Sequence, residues 1–276
     1  MGLRQFSVVL SCAALGFTLW ILPRNTVIAK ESAFKKGKQE ENELSNQIAK
    51  IKEELPSEQT SRINFFENQL NQASSQEEKI VWLDSLISIW DKNMRPGISA
   101  EFSFKKADMT NSSADWVLSG KRFIGLSRFF DDATQKQQLL EKSVECFNSA
   151  YQKDSLNEEV NVMLGVASVE SGKNPMKGIS LLKKIADNNP MNFDAQLNLG
   201  IFSMQSGQYD KAIARFKKSI QIKKDQPEVY FLLSDALSQL GKNKEAIEEL
   251  ETAKKIFKDP AIVQETEKRI QQIQHN

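Results

Sequence analysis

Apolar side chains recur three and four apart in two stretches from Phe193 to Gln226, FDAQLNLGIFSMQSGQYDKAIARFKKSIQIKKDQ, and again from Pro227 to Pro260, PEVYFLLSDALSQLGKNKEAIEELETAKKIFKDP. That spacing gathers the apolar residues of each stretch on one helix face. The two segments keep step over a period of 34 residues at Leu199/Leu233, Ala212/Ala246, Ile213/Ile247, Phe216/Leu250 and Ile222/Ile256. Each is interrupted near its middle by a glycine among polar residues, Gly207 in one and Gly241 in the other. The pattern predicts helix hairpins, with the glycine just past the first helix, where a left-handed cap costs it little. Ala212 and Ala246 fall where the second helix lies closest to the first. A fixed period in this range means stacked units sharing a continuous core rather than one compact core.

In the middle unit Leu199, Gly200, Gly207, Tyr209, Ala212 and Phe216 resemble the tetratricopeptide repeat (TPR), whose 34-residue pattern has Leu-Gly in the first helix, Gly-x-Tyr at the turn, then Ala and Phe in the second. The next unit departs at Ser234, in the place of Gly200, and at Asn243, in the place of Tyr209. Upstream, Glu158 to Asn192 fits with one inserted residue near Asn174-Pro175, which predicts an unusual turn: Leu164, Gly165 and Gly172 match, with Gly178 in the Ala position, Leu182 in the Phe position and Pro190 near the end. SVECFNSAYQKDSLN, from Ser143 to Asn157, is similar to a second repeat helix with Phe147 and Ala150 in place. Trp116, Gly120 and Phe123 are candidates for its partner, although Asp131 to Gln135 makes a long loop for the standard unit. The resemblance implies an all-α fold, a TPR-type helix-hairpin superhelix with repeats at 158–192, 193–226 and 227–260 and a divergent one at 111–157.

The flanks add helices. Glu77 to Asp91 carries Ile80, Val81, Leu83, Leu86, Ile87, Ile89 and Trp90 on more than one face, as a helix covered by neighbours would. Arg95-Pro96-Gly97 breaks it and a shorter helix from about Ile98 to Ala107 follows, so 77–110 reads as an N-terminal extension stacked on the superhelix. At the other end, 261–276 reads as a capping helix and tail, with Ile262, Ile270 and Ile273 on one side of Ala261 to Gln274. In the polar linker 26–76, Leu44, Ile48, Ile51 and Leu55, then Ile63, Phe66 and Leu70, have coiled-coil spacing on either side of Pro56. Each run covers about two heptads where a dependable coiled coil needs about three or four. Two short helices or a solvated spacer is the favoured reading, and self-association through the linker is the alternative.

Phe6 to Leu22, FSVVLSCAALGFTLWIL, is 17 residues without a charge, just long enough for a single membrane span. Residues 1–25 are therefore expected to be a transmembrane anchor, which makes this a single-pass membrane protein, with the bacterial inner membrane the expected location. Cleavage before Lys30 at Val27-Ile28-Ala29 is the alternative, against which Trp20 and Arg24 stand. A lipoprotein site at Ser11-Cys12 has only a short apolar lead. Arg24, Lys30, Lys35, Lys36 and Lys38 after the span favour a cytoplasmic repeat domain, and the short N-terminal tail favours the opposite, so the side stays open.

Composition narrows the chemistry. The 37 basic and 36 acidic residues nearly cancel and form no basic stripe, so nucleic acid is not an expected partner. The sole histidine is His275, which removes histidine triads and the commonest zinc-ligand sets. The Gly-Lys pairs at Gly37, Gly120, Gly172 and Gly241 lack the rest of a phosphate loop. Glu245, Glu248, Glu249 and Glu251 sit among lysines as a solvated face. Cys12 and Cys146 are too differently placed to pair, and Cys146 reads as a buried small apolar residue. No cofactor, metal or catalytic residue is expected, and the chain is not expected to be an enzyme.

The resemblance implies a concave groove lined by the first helices of successive hairpins. In this register it is lined by Val162, Val166, Val169 and Glu170, then Leu197, Ile201, Met204 and Gln205, then Phe231, Asp235, Ser238 and Gln239. TPR domains that clamp acidic chaperone tails place Lys, Arg and Asn there, and these positions are mostly apolar, so an apolar helix or extended segment of a partner is the expected ligand. The competing reading is that the N-terminal or capping helices fill the groove from within. The expected function is a membrane-tethered adaptor. The alternatives are an envelope assembly factor or an accessory subunit of a membrane enzyme or secretion complex.

Overall fold

The computed structural model describes residues 44–275, and among these there are helices and no strands. Phe6 to Leu22 lie outside the described residues. Within them no helix is long and apolar enough to cross a membrane. The chain divides into two compact units, one ending at Gln72 and one starting at Ala73. In the first, the described residues form α1, residues 44–54, and α2, Ser57–Gln72. Leu55-Pro56 interrupts them, because a proline ring clashes with a continuing helix. Lys52 pairs with Glu67, and the Thr60 hydroxyl donates to the Lys52 carbonyl at 3.0 Å, which ties the two helices together.

The second unit holds α3 (Gln76–Lys92), α4 (Pro96–Thr110), α5 (Ser113–Ser127), α6 (Ala133–Lys153), α7 (Glu158–Glu170), α8 (Pro175–Asn188), α9 (Phe193–Gln205), α10 (Tyr209–Ile222), α11 (Pro227–Gln239), α12 (Asn243–Ile256) and α13 (Pro260–His275). Each helix packs on the next, and the first helices of successive hairpins also touch from α5 through α13. Short polar residues start many of them. Ser75 closes a reciprocal capping box with Glu78 on α3, and Ser112, Asp132, Asn157 and Asn192 cap α5, α6, α7 and α9 with side-chain oxygens.

The hairpins close where a missing side chain on the first helix meets a large one on the second. A β-carbon on Gly200 would lie 2.6 Å from the Phe216 ring, and one on Gly120 would lie 2.7 Å from the Phe147 ring. In α7/α8 both helices are trimmed, since a β-carbon on Gly178 would meet the Gly165 carbonyl oxygen at 2.4 Å. Glycine inside a helix costs about 1 kcal/mol relative to alanine, and a fully buried phenylalanine contributes about 1.5–3 kcal/mol, so the exchange favours the pair. Gly172, Gly207 and Gly241 leave their helices with φ of 67°, 72° and 71°. The inserted residue near Asn174 is absorbed between the first of these and Pro175, without altering the glycine cap.

Some element ends differ from expectation. α4 begins at Pro96 and runs to Thr110, because proline suits the first helical turn; the break lies at Asn93 and Met94, the latter at φ 56°. Residues 133–135, expected in a loop, belong to α6, which Asp132 caps and which runs 21 residues against the 14 of α8, α10 and α12.

An ionic clamp fastens α3 to the array. Arg122 of α5 donates from both terminal nitrogens to Asp91, at 3.0 and 2.9 Å, and the Ser99 hydroxyl of α4 donates to the same carboxylate. Burial alone would raise the Asp91 pKa, but the bonds from Arg122 and Ser99 and the Arg122 charge outweigh it and hold it below 3.8. A carboxylate depressed in the fold adds stability above its unfolded pKa and loses it as pH falls through the folded one. The protection of α3 amides, taken relative to their intrinsic exchange rates, is therefore expected to hold at pH 5 and to fall in acid below the ordinary carboxylate range, and Asp91→Asn should remove that dependence.

Gly178→Ala is expected to lower unfolding free energy by about 1–3 kcal/mol through overpacking, despite alanine's better helix propensity. Gly125→Ala, where a β-carbon meets nothing within 4 Å, should raise it by up to about 1 kcal/mol. Urea unfolding of the two variants checks both signs.

Candidate functional site

The face formed by the first helices of the repeats holds the expected groove residues at three depths. Val162 and Val166 are 1 % and 4 % exposed, packed in a cluster with Ile124 of α5, Phe147 and Leu182. Their side chains serve the core, in a cluster to which α5, α6, α8 and α9 all contribute. Val169, Leu197, Ile201, Met204 and Phe231 are half-buried, and so are Asp235 and Ser238, while Gln205 and Gln239 are exposed. The accessible floor is thus the apolar surface of α9 with its edges on α7 and α11.

Leu197, Ile201 and Met204 rest on the cluster of Phe193, Ala212, Phe216, Leu233 and Leu237. Ser234 and Ser238 hold hydroxyl oxygens that are buried without a hydrogen-bond partner. At one end Glu170 faces Arg128 at 3.5 Å. Burial pushes the Glu170 carboxyl above its ordinary value, with Arg128 opposing the shift.

At the other end α13 takes the place of the next first helix, packing on α12 and touching α11. Arg269 donates from one terminal nitrogen to both carboxylate oxygens of Asp235, at 2.9 and 3.0 Å, and from its Nε to Glu265 at 2.7 Å. Its guanidinium also lies 4.8 Å from the centre of the Phe231 ring. Burial works against the charge, but Asp235 and Glu265 outweigh it and hold the Arg269 guanidinium more firmly protonated than usual. Ile273 packs on the same cluster as Leu197, Ile201 and Met204. Phe231 and Asp235 are therefore engaged by a helix of the chain itself. Sequence reasoning had a signal for it, since Arg269 lies one 34-residue period after Asp235.

No group of three or more metal-ligating side chains occurs among the described residues. Cys146 is fully buried against the Ser119 hydroxyl, and burial pushes its thiol up to about 12, so it offers no nucleophile at neutral pH.

Residues 203–267 match the tetratricopeptide-repeat family, a stretch running from α9 into α13. The fold is similar to that of TTC0263, a thermophilic TPR protein of Thermus thermophilus, at 14 % identity and a TM-score of 0.52, over 73 % of this chain and 100 % of the other. Looser likenesses are to MamA, at 19 % identity and TM-score 0.49 over 65 % and 92 % of the chains, and to YrrB, described as a TPR protein with an unusual peptide-binding site, at 14 % and 0.45 over 74 % and 97 %. No curated protein sequence matches the chain. The array is a TPR-type superhelix.

Removing the Arg269 guanidinium should free α13. In Arg269→Ala, amide exchange in α13 is expected to accelerate ahead of that in α11, and a double-mutant cycle with Asp235→Ala should give a coupling on the order of 1 kcal/mol, as for partly exposed pairs.

Proposed function

We propose that this chain is a non-catalytic scaffold that captures a partner protein on the concave face of its repeat array. The observation that carries the reading is the half-buried apolar strip of Leu197, Ile201 and Met204 on α9, flanked by Val169 and Phe231. Contiguous apolar surface left in contact with water marks a binding face. Large side chains in such a strip supply most of the affinity for an apolar helix or segment. The seventeen uncharged residues from Phe6 to Leu22 support a further element of the proposal, that the scaffold is tethered to a membrane and holds its partner near the bilayer.

Crosslinking in membranes followed by pull-down of the full chain tests both elements. Leu197→Glu combined with Phe231→Glu should abolish capture with helix content unchanged by circular dichroism, whereas Leu156→Glu, at a side chain 91 % exposed in the α6–α7 loop, should leave it intact. Survival of capture in the first variant would exclude the groove. A partner recovered in stoichiometric amount would recast the chain as an accessory subunit of a membrane complex, and a set of substoichiometric clients fits the adaptor.

A further inference from the structure

The charges of the array are sorted by helix. α7, α9 and α11 contain no Lys or Arg, and every charged side chain on them is a carboxylate. Their hairpin partners α8, α10 and α12 carry the basic residues, among them Lys183, Lys184, Lys217 and Lys218. A chain whose formal net charge is only +1 therefore presents an anionic concave face.

The placement of the carboxylates is periodic. Glu159, Asp194 and Glu228 are each the second residue of their helix, three positions before Val162, Leu197 and Phe231. That spacing puts each acid one turn above the first groove residue on the same face. The short turns reverse direction at every helix, so α7, α9 and α11 run parallel and these acids share one lip.

Neighbouring helices show what this face takes. Lys121 of α5 pairs with Glu159, Arg128 with Glu170, and Arg269 of α13 with Asp235 while covering the Phe231 ring. At both ends a packed helix thus brings cations to the carboxylates, and α13 adds Ile273 to the apolar cluster. In the middle, Asp194 and Glu228 are exposed and form no ion pair with a described residue.

Building on the groove reading above, we propose that the ligand is a cationic amphipathic helix, with its apolar stripe on Leu197, Ile201 and Met204 and its Lys or Arg side chains on Asp194 and Glu228. With neighbouring first helices about 8–10 Å apart, the floor from α7 to α11 spans about 20 Å. At about 1.5 Å per residue that is about 13 residues of helix.

The test uses the full-length chain in neutral detergent with two labelled peptides of about 18 residues, enough for a short helix, with leucines on one face and either lysines or glutamates on the other. Fluorescence anisotropy should show the Leu/Lys peptide binding about tenfold more tightly than the Leu/Glu one at low salt, with the preference shrinking at high salt. Asp194→Asn with Glu228→Gln, which keeps side-chain size, should remove most of the preference, and Asp210→Asn with Glu248→Gln, on the second helices, should not.

Equal binding of the two peptides, failure of the Leu/Lys peptide to bind, or a preference unchanged in the Asp194/Glu228 variant would overturn the proposal. If both peptides bind equally and Leu197→Glu with Phe231→Glu abolishes both, the groove stands and only the cationic ligand falls. If membrane capture survives that same variant, the groove falls with it.

Discussion

Backbone approach at the glycines of the first helices is the constraint on which the array rests. Gly120 and Gly200 leave room for the rings of Phe147 and Phe216, and Gly165 and Gly178 let two helix backbones nearly touch. Each pairing fixes how deeply one helix settles on its partner, and therefore where the following helix must lie. Interiors packed to crystal-like density transmit such spacings with little slack. The direction of each first helix, the parallel alignment of α7, α9 and α11, and the existence of a common concave face all follow from it. Ser234 stands where a glycine would be expected, and its small side chain, fully buried, still lets α11 close on α12.

The same spacing divides the surface by chemistry. Side chains that point between the helices of a hairpin are consumed by the core, as Leu199 and Leu233 are. Those one step around the first helix look into the groove, where Leu197 and Ile201 remain half-buried. From α7 to α12 the basic residues fall on the second helices, and the charged residues of the first helices are all carboxylates. At both ends the chain neutralises these acids itself, through Arg128 and Arg269. What stays open is therefore a central strip of apolar surface beneath unmatched carboxylates, and this combination gives the face a preference as well as an affinity.

Much of the fold was legible because its contacts are local in sequence. Leu199, Ala212 and Phe216 announce a hairpin whose two helices are joined by a few residues, and the 34-residue step carries that reading into α11 and α12. The α5/α6 hairpin was harder to read, since α6 is a turn and more longer than its counterparts and began inside what looked like a loop. The capping helix was legible as a helix, but its role at the groove was not, although Arg269 sits one period beyond Asp235.

Sequence by itself determined the repeat and the turn glycines, because both depend on periodicity and on backbone preferences acting over a few residues. Tertiary structure alone decided which inner-face residues remain available. Val162 and Val166 vanish into the core cluster, Phe231 and Asp235 are engaged by α13, and Leu197, Ile201 and Met204 stay accessible between them. Accessibility depends on what the neighbouring hairpin places overhead, which one repeat's own pattern does not encode.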